Sequence, residues 1–179
     1  RASHRSAFLA QASVVLSGSL NDGETTRELA RLAIPFLADV AALTLPAREG
    51  VEGRTILAWA GELPGQPPRS GSVARVECEW WRGAIERVIA NGSGMSFNAG
   101  RATLAQRAAS EAVLPGPLQV PGGEMVASLM IYPLAARGRI LGALSLGLGP
   151  SRRVFDDELL AVASDFAGRA AIALDNVLL

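Results

Sequence analysis

Apolar positions recur at helical spacing over residues 3–20, where Phe8, Ala12 and Val15 form one line and Leu9, Leu16 and Leu20 lie one step round. The polar run at 19–23 ends that helix, and Asn21 or Asp22 offers an N-cap for a second one whose inward set is Leu29, Leu32, Ala33 and Phe36. Pro35 predicts its end or a kink. From Asp39 the pattern changes: residues 40–47 and 54–61 are extended runs joined by a short polar stretch, which predicts a hairpin. Pro, Gly and Ser crowd 62–76, read as a loop. Residues 77–92 predict a helix closed by Asn91-Gly92, with Cys78, Trp81, Ile85 and Val88 inward and Glu79, Arg82 and Glu86 outward.

A short strand at 94–98, a weakly patterned helix at 102–114 and a loop at 115–124 follow. The strongest β signal is 125–149, two runs flanking Arg137-Gly138, where glycine supplies the positive φ of a tight turn. In the second run Leu144, Leu146 and Leu148 share one face. Ala143, Ser145 and Gly147 leave the other slim enough for close packing. A last helix spans 156–179. Hairpins predict an antiparallel sheet, no parallel strand–helix–strand rhythm appears, and helices at both ends predict a helical layer upon the sheet, so the class is α+β.

Composition narrows the function classes. The chain has 179 residues, 49% hydrophobic and 19% charged, which suits one globular domain. No apolar run approaches the roughly 20 residues that span a bilayer, and no signal-peptide pattern is present. Seventeen basic and seventeen acidic residues are scattered, which weighs against a nucleic-acid surface. Every basic residue other than His4 is Arg, a pattern that GC-rich coding explains. A lone cysteine, Cys78, excludes an internal disulfide and fits a reducing cytoplasm. The start at Arg1 is read as that of a segment from a longer protein.

A strand ending in Tyr-Pro-Leu (132–134), the turn Ala-Arg-Gly-Arg (136–139), the strand 140–147, Phe-Asp-Asp-Glu-Leu-Leu (155–160) and the helix ending at 170–179 together resemble the GAF domain of bacterial signalling proteins. Upstream, residues 25–45 resemble that family's second helix and first strand. The flavour is that of actinobacterial multidomain proteins, ahead of metal-dependent (PPM-type) phosphatase or histidine kinase modules. The resemblance implies a GAF-like, profilin- or PAS-like, antiparallel sheet of about six strands. Terminal helices would pack on one face, with shorter helices and loops over a small-molecule pocket on the other. It also implies terminal helices that pair across a dimer and run on into the next domain. Residues 1–20 are read as a signalling or dimerisation helix and 21–179 as the GAF domain with its linker helix.

In the last helix Leu159, Ala163, Phe166, Ala170, Ala173 and Val177 form one stripe, and Leu160, Ala167, Ala171, Leu174 and Leu178 a second beside it. One stripe covers the sheet. The second needs either a partner helix, making it a homodimer seam, or the amino-terminal helix of the same chain.

Catalytic chemistry finds no support. The one histidine, His4, lies near the chain start, so no nucleophilic triad, zinc set or haem ligand can be assembled. Cys78 is followed by Glu79 where bilin-binding relatives carry His, and Glu77 and Glu79 blunt a thiolate. Relatives that reduce free methionine sulfoxide need more than one cysteine. The Asn-Lys signature of cyclic-nucleotide binders is missing, and Asp156-Asp157-Glu158 reads as a helix start, not a metal site. No catalytic residue, metal or cofactor is assigned.

The remaining candidate is an apolar pocket built from Trp59, Trp81, Ile85, Phe97, Met130 and Tyr132, with the Tyr132 hydroxyl as a polar handle; the same residues would also serve as plain core. Arg75, Arg101 or Arg107 could meet an anion at its rim. The expectation is a cytoplasmic sensor module, homodimeric through its terminal helices, that relays binding of an unknown small molecule to a phosphatase or kinase domain. The alternatives are a ligand-free dimerisation module and the effector domain of a transcription regulator. Neither nucleic acid nor membrane is expected as a partner.

Overall fold

The computed structural model describes residues 2–18, 22–61, 63, 65–98, 112–113, 118–119, 125–149 and 155–178. Helices α1 (Ala2–Gly18) and α2 (Asp22–Leu32) precede the hairpin β1 (Val40–Leu45) and β2 (Arg54–Trp59). Then come β3 (Arg69–Val73), α3 (Glu79–Asn91), β4 (Met95–Asn98), β5 (Ala112–Val113), β6 (Leu118–Gln119), β7 (Met125–Val126), β8 (Ser128–Ala136), β9 (Arg139–Leu148) and α4 (Asp157–Leu178). The main sheet has the order β3-β2-β1-β9-β8-β4-β5. Its first six strands pair antiparallel, and β5 joins β4 in a two-residue parallel pair. This is the α+β architecture anticipated above.

The β8–β9 hairpin forms the centre. Its turn places both central residues at positive φ, Arg137 at 52° and Gly138 at 76°, the conformation whose twist matches that of two antiparallel strands. A register shift at Leu134/Ala135 turns Leu141 toward the same side as Leu144 and Leu146. The period-2 alternation then divides the core in two. On one face Leu43, Leu45, Ile56, Leu134, Leu144 and Leu146 meet α1, α2 and α4; on the other Val40, Ala42, Leu57, Leu129, Ile131 and Ala143 meet α3.

The helical layer is pinned by Phe8, whose ring stacks on Phe36 at 4.9 Å and tilts against Phe166 at 5.5 Å. Helix α4 is capped by Asp156, whose Oδ1 accepts the Leu159 amide at 2.7 Å, so the acidic run is a helix start as expected.

Several segments depart from the expectations. The 62–76 loop contains β3, an edge strand whose side chains are largely exposed; it exists because its backbone pairs with β2 from Thr55↔Val73 to Trp59↔Arg69. Of the expected helix at 102–114, residues 102–111 lie outside the described residues, and Ala112–Val113 is strand β5. That pair is parallel, a pairing the sequence pattern did not announce. The expected loop 115–124 contains β6, which pairs with β7 in a separate two-stranded sheet. The side chains of Val15, Leu16 and Leu20 lie outside the described residues.

Candidate functional site

Helix α3 ends where Gly92 takes the left-handed conformation (φ 70°) and its amide bonds the Val88 carbonyl at 2.9 Å. Trp81, Ala84, Ile85 and Val88, at helical spacing, are buried against the sheet. The slim strip of β9 makes this close approach possible. The Trp81 indole donates from Nε1 to Ser145 Oγ at 3.1 Å. Gly147 has no room for a side chain: a Cβ there would lie 2.7 Å from Val40 Cγ1 and 3.1 Å from Val126 Cγ1. Trp80 tilts against Phe97 with ring centroids 5.6 Å apart.

The six pocket candidates are therefore not brought together. Trp81, Ile85 and Phe97 fill the core beneath α3, and Trp59 packs at its margin. Met130 and Tyr132 alternate to the opposite face, where Met130 registers with Leu146 and Tyr132 with Leu144. The Tyr132 hydroxyl donates to the Leu160 carbonyl of α4 at 3.4 Å, and burial pushes its pKa up to about 12. Tyr132 thus ties sheet to helix.

Among the described residues one open groove lies beside α3 and another, of about 610 Å³, lies between α2 and the β2–β3 edge, lined by Arg27, Glu28, Arg31, Arg54 and Ile56. The groove beside α3, of about 850 Å³, is floored by Leu57, Val73 and Val76 and rimmed by Arg75, Glu77, Cys78, Glu79 and Arg82. The Arg82 guanidinium donates from Nη1 to the Val76 carbonyl at 2.7 Å, which fixes the connector from β3 to α3. Cys78 occupies the N-cap position of α3 without a side-chain capping bond, and its half-buried thiol faces the groove. Apolar floor, two guanidiniums and two carboxylates suit a small molecule with an apolar body and charged ends. Arg75 was the only one of these expected to meet a ligand; Arg101 and Arg107 lie outside the described residues. The sequence signal for the rest was the charged run 75–82 at the start of an amphipathic helix. Among the described residues no group of three or more His, Cys, Asp or Glu side chains could hold a metal, and no helix is long and apolar enough to cross a membrane.

A family profile described as "GAF domain" matches residues 21–175 of this chain. The chain belongs to the GAF domain family. GAF domains are regulatory, sensor-type modules of signalling proteins.

Solved structures agree on the fold. The GAF domain of a phosphoenolpyruvate-protein phosphotransferase from Acinetobacter is similar with a TM-score of 0.57 and 13% identity, over 96% of this chain and 92% of that one. The GAF domain of the potassium sensor histidine kinase KdpD from Escherichia coli has a TM-score of 0.54 and 19% identity over 96% and 93%. Free methionine-R-sulfoxide reductase from Neisseria meningitidis, in complex with its substrate, has a TM-score of 0.56 and 14% identity over 95% and 87%. No curated protein sequence matches.

In this GAF domain the second stripe of the terminal helix is largely covered from within. Ala167, Ala171 and Leu174 are buried in one cluster with Phe8, Leu9 and Ala12 of α1 and Leu29 and Ala33 of the α2 region, while Leu160 and Leu178 are half-buried. Of the two covers expected for that stripe, the chain's own helices supply one, and each fully buried leucine contributes roughly 2 kcal/mol there. The exposed small and apolar residues of these helices are Ala7, Ala10 and Val14 on α1 and Ala161, Gly168 and Ile172 on α4. The two helices are bridged at the surface by Arg169, which bonds Ser13 Oγ at 2.9 Å and Asp165 at 3.2 Å.

Proposed function

We propose that this GAF domain is a regulatory module that takes a small charged molecule in the groove beside α3 and relays its presence through α1 and α4 to an output domain of a longer protein. The observation that carries this reading is the division of labour across the sheet. The groove with an apolar floor lies on the α3 face and the packed helical layer on the other, and strand β9 contributes to the core on both faces. A PPM-type phosphatase or a histidine kinase is the output that the family resemblance favours, and likeness to the GAF domain of a sensor histidine kinase supports the latter.

The relay works by population shift. A ligand bridging Arg75 or Arg82 to the Glu77–Glu79 side of the groove favours one position of the 74–78 connector and of α3. Trp81 carries that position to Ser145 on β9. The module acts as a homodimer in which the exposed Ala7–Val14 and Ala161–Ile172 strips of two copies meet, since Val14 and Ile172 are large apolar groups left in water.

Thermal-shift screening against nucleotides, amino acids and aromatic carboxylates tests the ligand. A specific binder raises the Tm, and Arg75→Ala abolishes the shift without lowering the Tm of the free protein. No upward shift from any class would defeat the sensor reading. It would favour instead a ligand-free dimerisation module, the second reading that the filled core under α3 supports. Analytical ultracentrifugation tests the dimer: Ile172→Glu is expected to convert it to monomer. A wild type that is strictly monomeric at high micromolar concentration would remove the pairing.

A further inference from the structure

The last turn of α4 contains a carboxylate that its surroundings would not tolerate alone. Asp175 lies in the last described turn of α4, three residues before Leu178. Its side chain is 2% exposed, next to the fully buried Leu174 and the half-buried Val177 and Leu178. Two guanidinium groups from the β8–β9 turn region neutralise it, Arg137 Nε at 2.8 Å and Arg139 Nη2 at 3.0 Å. Those arginine side chains are 63% and 53% exposed. A carboxylate kept from water is thus held by cations that are themselves in it.

We propose that this clamp is a releasable latch on the terminal helix. A desolvated carboxylate stays buried only while its countercharges stay with it; without them it must regain water. Leu174 is fully buried one residue earlier, so hydration of Asp175 loosens the last described turn while the core beneath it stays closed. Both guanidiniums face solvent, so a competing anion or added salt draws them away without opening the core. The latch also joins the helix to β9, which begins at Arg139 and carries Ser145 beneath Trp81. It deepens the relay reading and rests on it for the use of the latch in signalling. The latch itself is measurable with no ligand present.

Hydrogen–deuterium exchange on the 179-residue chain tests it. Arg137→Ala with Arg139→Ala is expected to speed exchange in the last turn of α4 roughly ten- to a hundred-fold, with α1 and β9 unchanged. Adding Asp175→Asn removes the unpaired charge and is expected to restore most of the protection, a recovery that lost arginine packing would not give. Should the double variant not fold, salt on the wild type replaces it, speeding exchange of that turn there but not in Asp175→Asn. Unchanged exchange in the last turn, acceleration spread through α1 and the sheet, or no recovery on adding Asp175→Asn would overturn the latch. A domain whose latch behaves as expected but which binds no ligand would count against the sensor reading alone.

Discussion

The bond from Trp81 to Ser145 gives the sharpest energetic prediction. Donor and acceptor are 3.1 Å apart, and the two residues are 4% and 2% exposed, so neither group has water to fall back on. Ser145→Ala leaves the indole N–H buried without a partner. The cost is that of desolvating an unsatisfied donor, about 1 to 2 kcal/mol. Trp81→Phe removes the donor and part of a ring filling the core between α3 and β9, for about 2 to 3 kcal/mol. Once the indole is gone, losing the hydroxyl costs little more. The double variant should therefore fall short of the sum by about 1 kcal/mol or more. Guanidinium denaturation at constant m measures all four proteins, and each kcal/mol corresponds to about 2 to 4 °C in Tm for a chain of this length. Costs that add within about 0.3 kcal/mol would show that the bond does not hold α3 to the sheet.

Gly147→Val forces side-chain atoms into Val40 and Val126 and should destabilise by about 3 kcal/mol or prevent folding, read from the denaturation midpoint. Asp156→Ala removes the cap of α4 and should cost about 1 kcal/mol, with fraying of the first turn visible by hydrogen exchange. Tyr132 titrates at about 12 in the folded chain against 10.0 when unperturbed, so its contribution is complete below pH 10 and is lost as pH rises through 12. Alkaline titration followed by circular dichroism should show the wild type losing stability relative to Tyr132→Phe across that window.

The parts of this fold that were legible are those whose side chains carry the information. Leu144, Leu146 and Leu148 announced a buried face, and the Ala143–Ser145–Gly147 strip announced a close neighbour, found to be Trp81. Strand β3 was illegible because its Arg-Ser-Gly-Ser-Val sequence buries little, and only the free edge of β2 makes it a strand. The face taken by Tyr132 and Met130 turns on the register of the β8–β9 hairpin. Continued unbroken from the tight turn at Arg137-Gly138, the ladder would pair Tyr132 with Ala143 on the α3 face; the register shift at Leu134/Ala135 pairs it with Leu144 instead and sets it on the helical face. Asp175 belonged to neither apolar stripe; its signal was a carboxylate amid Leu174, Val177 and Leu178, with two arginines in the hairpin turn. Which helix covers Ala167 and Leu174 could not be read from one helix alone, since a stripe of small residues fits an internal or an external neighbour equally.

The central claim is that ligand chemistry belongs to the α3 side of the sheet and output to the other. All three tryptophans, Trp59, Trp80 and Trp81, pack on the α3 side, and none lies on α1 or α4. Fluorine NMR of the 5-fluorotryptophan-labelled domain therefore reports on that side only. Titrating in whichever compound raises the Tm should shift the resonance of Trp80 or Trp81 and, in parallel exchange measurements, alter protection in α4. A stabilising compound that leaves all three resonances unmoved would contradict the account.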